Sequence, residues 1–216
     1  MSHRLKAVYQ SGCAEIVEKK SRFIAHVASV SSVEEAQEYI ERIRKEYWDA
    51  RHNCFAFSVG EKNPVTRCSD DGEPGGTAGK PILEVIQGSG ISNIVIVVTR
   101  YFGGTLLGTG GLVRAYTEAS RAGIADAVVV EKTEGLRMKL QTEYTDLGKI
   151  QYILARNQVI TEQTDYTDKV EMQILFPEED RAVLWDALRE ATGGLISVKE
   201  EEPVYYGVAE EKIILF

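Results

Sequence analysis

The sequence predicts an α+β protein of two domains, with the boundary between residues 133 and 134. The chain has 216 residues, enough for one large domain or two small ones. Its charge is divided unevenly, because residues 1–133 carry 16 basic and 16 acidic side chains whereas residues 134–216 carry 9 and 17. The segment EKTEG, 131–135, is polar, ends in glycine and has the composition of a linker. Strand and helix patterns restart after it, which supports a second domain.

The first domain opens with strand signals and then a helix. Residues 14–30 are rich in Ile, Val and Phe and predict two strands separated by a polar break at Lys19–Ser21. Ser32 and Glu35 form a capping box, which predicts that a helix begins there. The apolar positions that follow are spaced by three and four residues, as on one helix face. They are Val33, Ala36, Ile40, Ile43 and Tyr47.

Helix and strand signals alternate through the rest of the first domain. The predicted elements are a strand at 52–60, a loop at 61–66, a short helix at 77–90, a buried strand that includes 94–98, and a long helix within 106–127. Pro81 in the first turn and Gly88 near the end are typical limits of the short helix. We expect the helices of this domain to cover one face of a mixed sheet.

The second domain has the pattern of a ferredoxin-like fold. Alternation at Leu136, Met138 and Leu140 predicts its first strand, and the order of elements after it is β-α-β-β-α-β. Pro177 and three acidic residues favour the start of the second helix. The closing KIILF, 212–216, predicts an edge strand.

Composition narrows the class of protein. Hydrophobic residues make up 44% and charged residues 27%, which supports a buried core and argues against disorder. No signal peptide is apparent, and the three cysteines form no CxxC pair, so we expect reduced thiols and a cytoplasmic protein. The longest apolar run, 94–98, is too short to span a membrane. The acidic second domain either serves solubility or favours basic partners.

Two glycine-rich segments are the candidate site. The first is RCSDDGEPGGTAGKP, 67–81, whose acids Asp70, Asp71 and Glu73 have three interpretations: a divalent cation site, ion pairs that order the loop, or solvated charge. We favour an ion pair of at least one acid with Arg100 or Arg114. The second segment contains GTGG, 108–111, where open backbone amides before a helix are able to bind an anion.

The structural alternative for the second segment is that its glycines permit positive φ and close helix–sheet approach. GTGG matches neither the P-loop nor GxGxxG. The expected ligand- or nucleic-acid-binding residues are Asp70, Asp71, Glu73, Gly76, Thr77, Lys80, Arg100, Tyr101, Gly103, Gly104, Gly108, Gly110, Gly111 and Arg114.

Signals for catalysis are weak. His26 lies in a strand pattern and is expected to pack in the core, while His52 and Cys54 share one side of a strand without forming a known dyad. The spacing of histidines and cysteines matches no zinc site. We therefore expect no catalytic residue, no metal and no cofactor.

Four motifs resemble the IMPACT family, in its bacterial two-domain type. They are SRFIAHV, ARHNCFAF, SDDGEPGGTAGKPIL and IVIVVTRYFGGTLLGTGGLVRAY, in the family's order over about residues 15–125. The β-α-β-β-α-β segment is similar to the C-terminal domain of bacterial members. The family motif falls on Asp70, Gly72, Glu73, Pro74, Gly76, Thr77, Ala78, Pro81, Arg100, Tyr101, Phe102, Gly103, Gly104, Leu107, Gly108, Gly110, Gly111, Leu112, Arg114 and Tyr116.

The resemblance implies a fold for each domain. The first is expected to share its fold with the second domain of a small-subunit ribosomal protein, with GHMP kinases and with a domain of elongation factor G. The second is expected to be ferredoxin-like, as in another elongation factor G domain. Eukaryotic members carry a further N-terminal domain and regulate a translation-controlling kinase by competing for its activator, a role that we do not expect for this chain.

Three functions remain open at this point. The first is a non-enzymatic protein that binds RNA, the ribosome or a translation-associated partner and regulates translation. The second is a small-molecule enzyme or sensor that binds an anionic, phosphate-bearing ligand at the glycine-rich turns. The third is that both motifs serve the fold, with interaction surfaces elsewhere. We expect no membrane partner, and the sequence carries no signal for the oligomeric state.

Overall fold

The computed structural model describes residues 5–209 and 212–216. The chain divides into two compact units, unit 1 up to Glu131 and unit 2 from Lys132 onward. Within the described part of the chain, no helix has the length and apolar character that crossing a bilayer requires.

Unit 1 contains an antiparallel five-stranded sheet in the order β2-β3-β6-β4-β5. Its elements are β1 Leu5–Gln10, β2 Gly12–Glu18, β3 Ser21–Ser29, α1 Val33–Glu46, β4 His52–Val59, β5 Val65–Ser69, α2 Gly79–Ser89, β6 Ile94–Tyr101 and α3 Thr109–Asp126. The expected break at Lys19–Ser21 is confirmed as the β2–β3 turn. The loop expected at 61–66 is shorter, because β5 already begins at Val65 and pairs with β4.

The helices of unit 1 cover both faces of the sheet. Helices α2 and α3 pack on one face, around Phe23, Ala25 and Val27 of β3. Helix α1 packs on the other face, where Ala28 contributes to a second cluster. The expectation of a mixed sheet with helices on one face was wrong. Strand β3 is apolar on both sides, so each side has to be covered.

The predicted capping box of α1 forms with one change of partner. The Ser32 hydroxyl accepts the Glu35 N–H at 3.1 Å. The Glu35 carboxylate reaches back to the N–H of Ser31, at 2.7 Å, instead of that of Ser32. This backbone hydrogen bond holds the pKa of Glu35 below its ordinary value.

Unit 2 has the predicted ferredoxin-like order of elements. They are β7 Val128–Thr142, α4 Leu147–Arg156, β8 Ile160–Tyr166, β9 Val170–Pro177, α5 Arg181–Ala191, β10 Ser197–Ala209 and β11 Lys212–Leu215. The strands are antiparallel in the order β11-β10-β7-β9-β8, so the edge strand expected from KIILF is confirmed. Helices α4 and α5 bury Ile150, Leu154 and Leu184 against the sheet.

The linker expected at 131–135 is instead part of β7. Gly135 is paired with Pro177 and Val204 in neighbouring strands. A side-chain carbon at Gly135 would lie 2.5 Å from the Tyr206 ring. The glycine therefore makes room for an aromatic side chain within the sheet, and its presence does not mark a flexible connection.

The close approach of α3 to β2 predicts a stability difference between two glycine substitutions. A side-chain carbon at Gly12 would lie 2.4 Å from the Gly123 carbonyl oxygen, whereas Gly88 in α2 is exposed and has open space. We expect Gly12→Ala to lower the free energy of unfolding by about 1–3 kcal/mol, because helix and strand have to separate. Gly88→Ala should raise it by about 0.5–1 kcal/mol. Urea unfolding measures both, and equal midpoints would contradict the close approach.

Candidate functional site

Asp70 closes the first glycine-rich segment on itself. Its carboxylate accepts the backbone N–H groups of Gly76, Ala78 and Gly79 at 2.8, 2.9 and 2.9 Å. Helix α2 begins here and has no side-chain cap from Ala78, so Asp70 supplies the missing acceptor from outside the helix. Partial burial opposes ionisation, but the three amide donors outweigh it and hold the pKa of Asp70 below its ordinary value.

Asp71 attaches the same segment to α1 and β4. Its carboxylate lies 3.0 Å from Arg44 Nη2 and accepts the Asn53 N–H at 2.7 Å. Its backbone oxygen lies 2.8 Å from His52 Nδ1. Asp71 has a φ of 42°, in the left-handed region, and these contacts stabilise that conformation.

Glu73 lies at the centre of a buried polar network. Its Oε1 is 2.6 Å from Arg100 Nη1 and accepts the Tyr116 hydroxyl at 2.9 Å. The side chains of Glu73 and Arg100 are only 3% and 7% exposed. The Cys54 thiol lies 3.3 Å from the Tyr116 hydroxyl and 2.9 Å from the Asp70 carbonyl oxygen. We call Cys54, Glu73, Arg100 and Tyr116 the buried network.

Burial has the same effect on both titratable donors of this network. It raises the pKa of the Cys54 thiol and of the Tyr116 hydroxyl, so both remain protonated at neutral pH. The protonated Tyr116 hydroxyl donates a hydrogen bond to Glu73, and this bond supplements the ion pair between Glu73 and Arg100. The network connects β4, β6, α3 and the acidic segment, and its ionisable groups are engaged with one another.

Of the three acids, only Glu73 forms the expected ion pair with Arg100 or Arg114, and its partner is Arg100. Asp71 pairs with Arg44, on a helix that the sequence patterns did not connect with this segment. Asp70 pairs with backbone amides instead of a cation. Arg114 is exposed and has no hydrogen bond or ion pair to a described residue. Nowhere in residues 5–209 and 212–216 do three His, Cys, Asp or Glu side chains gather as metal ligands.

The remaining residues expected in the first segment differ in exposure. Thr77 is buried, and its hydroxyl donates to the Pro74 carbonyl at 2.7 Å. Lys80 is exposed on α2, 4.0 Å from Glu84. Gly76 has a φ of 77° and open space beside it. Of these three, only Lys80 presents a side chain that a ligand can reach.

The second glycine-rich segment forms an exposed loop before α3. A side-chain carbon at Gly103 would lie 2.0 Å from the Lys20 backbone, and the Gly103 N–H donates to Ser21 Oγ. Gly104 and Gly108 have φ values of 86° and 71°. The loop therefore depends on glycine for both close packing and turning. Phe102 and Leu106 are 50% and 83% exposed on it.

Helix α3 starts at the end of this loop without a side-chain cap. Gly108 is its N-cap, and the first turn contains no acidic residue. A side-chain carbon at Gly110 would lie 4.0 Å from Arg114 Nη1, and one at Gly111 would meet Leu107 at 3.0 Å. The guanidinium of Arg114 thus lies near the free amides of the first turn.

Basic and aromatic residues lie beside this loop, and most of them were not among the expected site residues. The β2–β3 turn, packed on Gly103, exposes Lys19 and Lys20. The Arg22 guanidinium lies 5.5 Å from the Tyr101 ring centroid. We call Lys19, Lys20, Arg22, Trp48, Tyr101 and Phe102 the turn surface. Of these, Tyr101 was among the expected site residues, and Phe102 belongs to the family motif. The pair of lysines at a tight turn was the available signal for the β2–β3 turn.

Tyr101 connects the turn surface to the end of α1. Its hydroxyl donates to Asp49 Oδ1 at 2.7 Å. This hydrogen bond raises the pKa of Tyr101 to about 12. Trp48, the neighbour of Asp49, is 82% exposed. The hydrogen bond thus positions a largely exposed indole at the same end of the sheet as Tyr101.

Comparisons with known proteins agree with the motifs. The Impact N-terminal domain model matches residues 19–124, and the model described as a domain of unknown function, DUF1949, matches 140–195. The chain is 40% identical over 205 residues to IMPACT family member YvyE of Bacillus subtilis, covering 95% of this chain and 94% of that protein. This chain belongs to the IMPACT family.

Two further matches accord with this IMPACT family assignment. IMPACT family member YigZ of Escherichia coli is 41% identical over 161 residues, or 74% of this chain and 79% of that protein. A solved structure titled "Crystal structure of an hypothetical protein" has a TM-score of 0.57 at 35% identity and covers 89% of this chain and 95% of that one. In this IMPACT protein, the buried network and the turn surface both lie within the match to the Impact N-terminal domain.

The Glu73–Arg100 pair predicts a large effect on the stability of this IMPACT protein. Glu73→Ala leaves the Arg100 charge buried without a partner, so the free energy of unfolding should fall by about 3–5 kcal/mol. Glu84→Ala, which removes the exposed partner of Lys80, is the control and should change it by less than about 1 kcal/mol. Urea unfolding followed by circular dichroism makes the comparison. Equal losses in the two variants would mean that Glu73 is not essential.

The lowered pKa of Asp70 predicts how stability depends on pH. Because this pKa is lower in the folded than in the unfolded chain, ionised Asp70 stabilises the fold above the unfolded value of about 3.9. That contribution is lost as pH falls through the folded pKa. The stability difference between wild type and Asp70→Asn should therefore shrink from pH 7 to pH 3, as measured by urea unfolding. Asp186→Asn, at an exposed position of α5, controls for loss of charge, and a constant difference for Asp70→Asn would contradict the prediction.

Proposed function

We propose that this protein is a non-enzymatic member of the IMPACT family that binds single-stranded RNA through the turn surface and acts in translation. The observation that carries the proposal is the packing of the β2–β3 turn on Gly103. It brings two exposed lysines beside Tyr101 and Phe102. RNA-binding surfaces combine cationic side chains for phosphates with aromatic rings for unstacked bases.

The charges of the turn surface support this function. Lys19 and Lys20 have no hydrogen bond or ion pair to a described residue, so both ammonium groups are free for phosphates. Arg22 is engaged by Glu15 in a two-bond ion pair at 2.8 and 3.0 Å. Its guanidinium therefore orders the Tyr101 ring and contributes little net charge. Unit 1 is close to neutral as a whole, which favours a contact of few phosphates with modest dependence on salt.

The buried network argues against two of the residues that sequence reasoning placed at the ligand. Glu73 and Arg100 are buried and engage one another. Their role in the proposed function is to hold β6 and the acidic segment, so that Tyr101 and Phe102 emerge at a defined place. The translational context is supported by the family's association with translational control, and the partner that presents the RNA is the ribosome or a translation-associated complex.

A second candidate function is the binding of a small anionic ligand at the start of α3. The uncapped first turn offers amide donors, and Arg114 is free nearby. A phosphate group there would receive both the helix dipole and a guanidinium. This candidate uses Gly108, Gly110 and Gly111 and does not need the turn surface.

Substitutions in the turn surface test the first candidate. Phe102→Ala should weaken binding of a fluorescent single-stranded RNA by about 1–3 kcal/mol, because one stacked base is lost. Lys19→Ala/Lys20→Ala should reduce the slope of log K against log salt by about 1.4, as expected for two fewer phosphate contacts with single strands. Lys62→Ala/Lys199→Ala removes the same charge from exposed positions elsewhere and should leave binding unchanged. Anisotropy titration and ribosome co-sedimentation provide the measurements.

The two candidates separate in the same set of proteins. If neither turn-surface variant changes RNA or ribosome binding, the RNA function is wrong. If inorganic phosphate or nucleotides raise the melting temperature of wild type but not of Arg114→Ala, the anion site is favoured. If these ligands leave the melting temperature of both proteins unchanged, the anion site is excluded. Arg100 is not a useful target, since its substitution disrupts the buried network.

A further inference from the structure

A thiol and an imidazole meet at the edge strand of the unit 1 sheet. Cys13 of β2 and His26 of β3 are directly opposite one another in the antiparallel register. The Cys13 Sγ lies 3.5 Å from His26 Nδ1. Opposite residues of an antiparallel pair have their Cβ atoms about 4.5–5.5 Å apart, so the contact is built into the strand pairing. Cys13 is exposed.

The environment of His26 leaves its ring free to exchange a proton with Cys13. His26 is 6% exposed, and its Nε2 has no hydrogen-bond partner. The Tyr47 ring, at the end of α1, lies 4.9 Å away between centroids. Burial lowers the pKa of His26, so the imidazole is neutral at physiological pH. A neutral imidazole that touches a thiol is able to accept its proton.

The charges around Cys13 are negative. Its backbone N–H donates to Asp126 Oδ2 at 2.9 Å, which places a carboxylate from the end of α3 beside it. Glu46 of α1 acts from the opposite side, and Glu15 on β2 is already paired with Arg22. Burial, followed by the charges of Asp126 and Glu46, raises the pKa of the Cys13 thiol. At rest the sulfur is therefore protonated, and its reaction depends on the adjacent base.

We propose that Cys13 is a site of reversible mixed-disulfide formation with small disulfides that carry an ammonium group, and that His26 is the proton acceptor of the reaction. The carboxylates of Asp126 and Glu46 set the charge preference, because they attract a cationic disulfide and repel an anionic one. The site includes no residue of the turn surface and does not rest on the proposed function.

The reaction is balanced with the disulfide as the only co-reactant. The Cys13 thiol proton moves to His26 Nδ1, in the tautomer that carries its hydrogen on Nε2. The Cys13 sulfur then forms a bond to one sulfur of the disulfide, whose own S–S bond breaks. The leaving thiolate takes the proton from His26 and departs as a thiol. Cys13 is oxidised to the mixed disulfide, and the departing sulfur is reduced.

The other two cysteines are internal controls for the experiment. Cys68 is exposed on β5, with Arg67 before it in the chain, and its thiol has no hydrogen bond to a described residue. Cys54 is buried in the network with Tyr116 and should not react while the protein is folded. Mass spectrometry of peptides thus reports on the proposed site, an ordinary exposed thiol and the integrity of the fold in one sample.

The experiment treats the full chain with cystamine or with uncharged bis(2-hydroxyethyl) disulfide and follows each cysteine between pH 6.5 and 8. A thiol that reacts only as free thiolate gains about tenfold in rate per pH unit below its pKa. We expect the Cys13 rate to change by less than threefold over this range, because it follows the fraction of His26 that is neutral. The Cys68 rate should rise steeply over the same range. The rate of reaction with cystamine, divided by the rate with the uncharged disulfide, should be several times higher at Cys13 than at Cys68.

Two variants assign the roles of the neighbours. His26→Gln should lower the Cys13 rate at least about tenfold and leave Cys68 unchanged, as expected from loss of a general base. Glu46→Gln, at an exposed position, should reduce the preference for cystamine at Cys13 alone. Labelling of Cys54 in His26→Gln would mean that this variant has lost its fold. The test then rests on the pH profile of the wild type and on the preference of Glu46→Gln for cystamine over the uncharged disulfide. Equal pH slopes and equal charge preferences at Cys13 and Cys68 would overturn the proposal.

Discussion

The ion pair between Glu73 and Arg100 is the interaction on which the arrangement of unit 1 depends. Desolvating two charges is unfavourable, and their attraction compensates only when the geometry is close and further hydrogen bonds are present. Here Tyr116 supplies the further donor, while Arg100 Nε is left without a partner. Such a pair contributes more to the position of its elements than to net stability. The pair fixes the end of β6, the placement of α3 and the attachment of the acidic segment. Together these three elements hold the exposed loop before α3 in place.

Local patterns in the sequence were sufficient for most elements. The 3.6-residue period of α1, the run of β-branched residues in β6 and the element order of unit 2 all predicted what the structure contains. Features that depend on distant contacts were not predictable. The linker at 131–135 has loop-like composition, yet Gly135 is required in a strand by the Tyr206 ring. Both sheet faces are covered because β3 has apolar residues on both sides. In the sequence this appears only as a continuous hydrophobic run, whose meaning became clear from the structure.

The candidate site divides in the same way. Chemistry predicted that an acidic, glycine-rich segment needs counter-charges, and Glu73 has one in Arg100. It could not predict Arg44 as the partner of Asp71, because the two are brought together by packing of α1. Lys19 and Lys20 were read only as a break between strands. Their place beside Gly103 results from the β3–β6 pairing, which aligns Arg22 with Tyr101. The proposed function therefore depends on residues that come together only once the sheet is assembled.

The three hydrogen bonds to Asp70 have a consequence for how the chain withstands proteases. A protease needs several consecutive residues in extended form, and a segment with four glycines between 72 and 79 has a composition that would ordinarily supply them. The Asp70 carboxylate instead holds the amides of residues 76, 78 and 79 in a tight ring. Cleavage there has to wait for a local opening that breaks all three bonds together. A segment whose composition is typical of a nicking site is thereby protected for as long as these three hydrogen bonds persist.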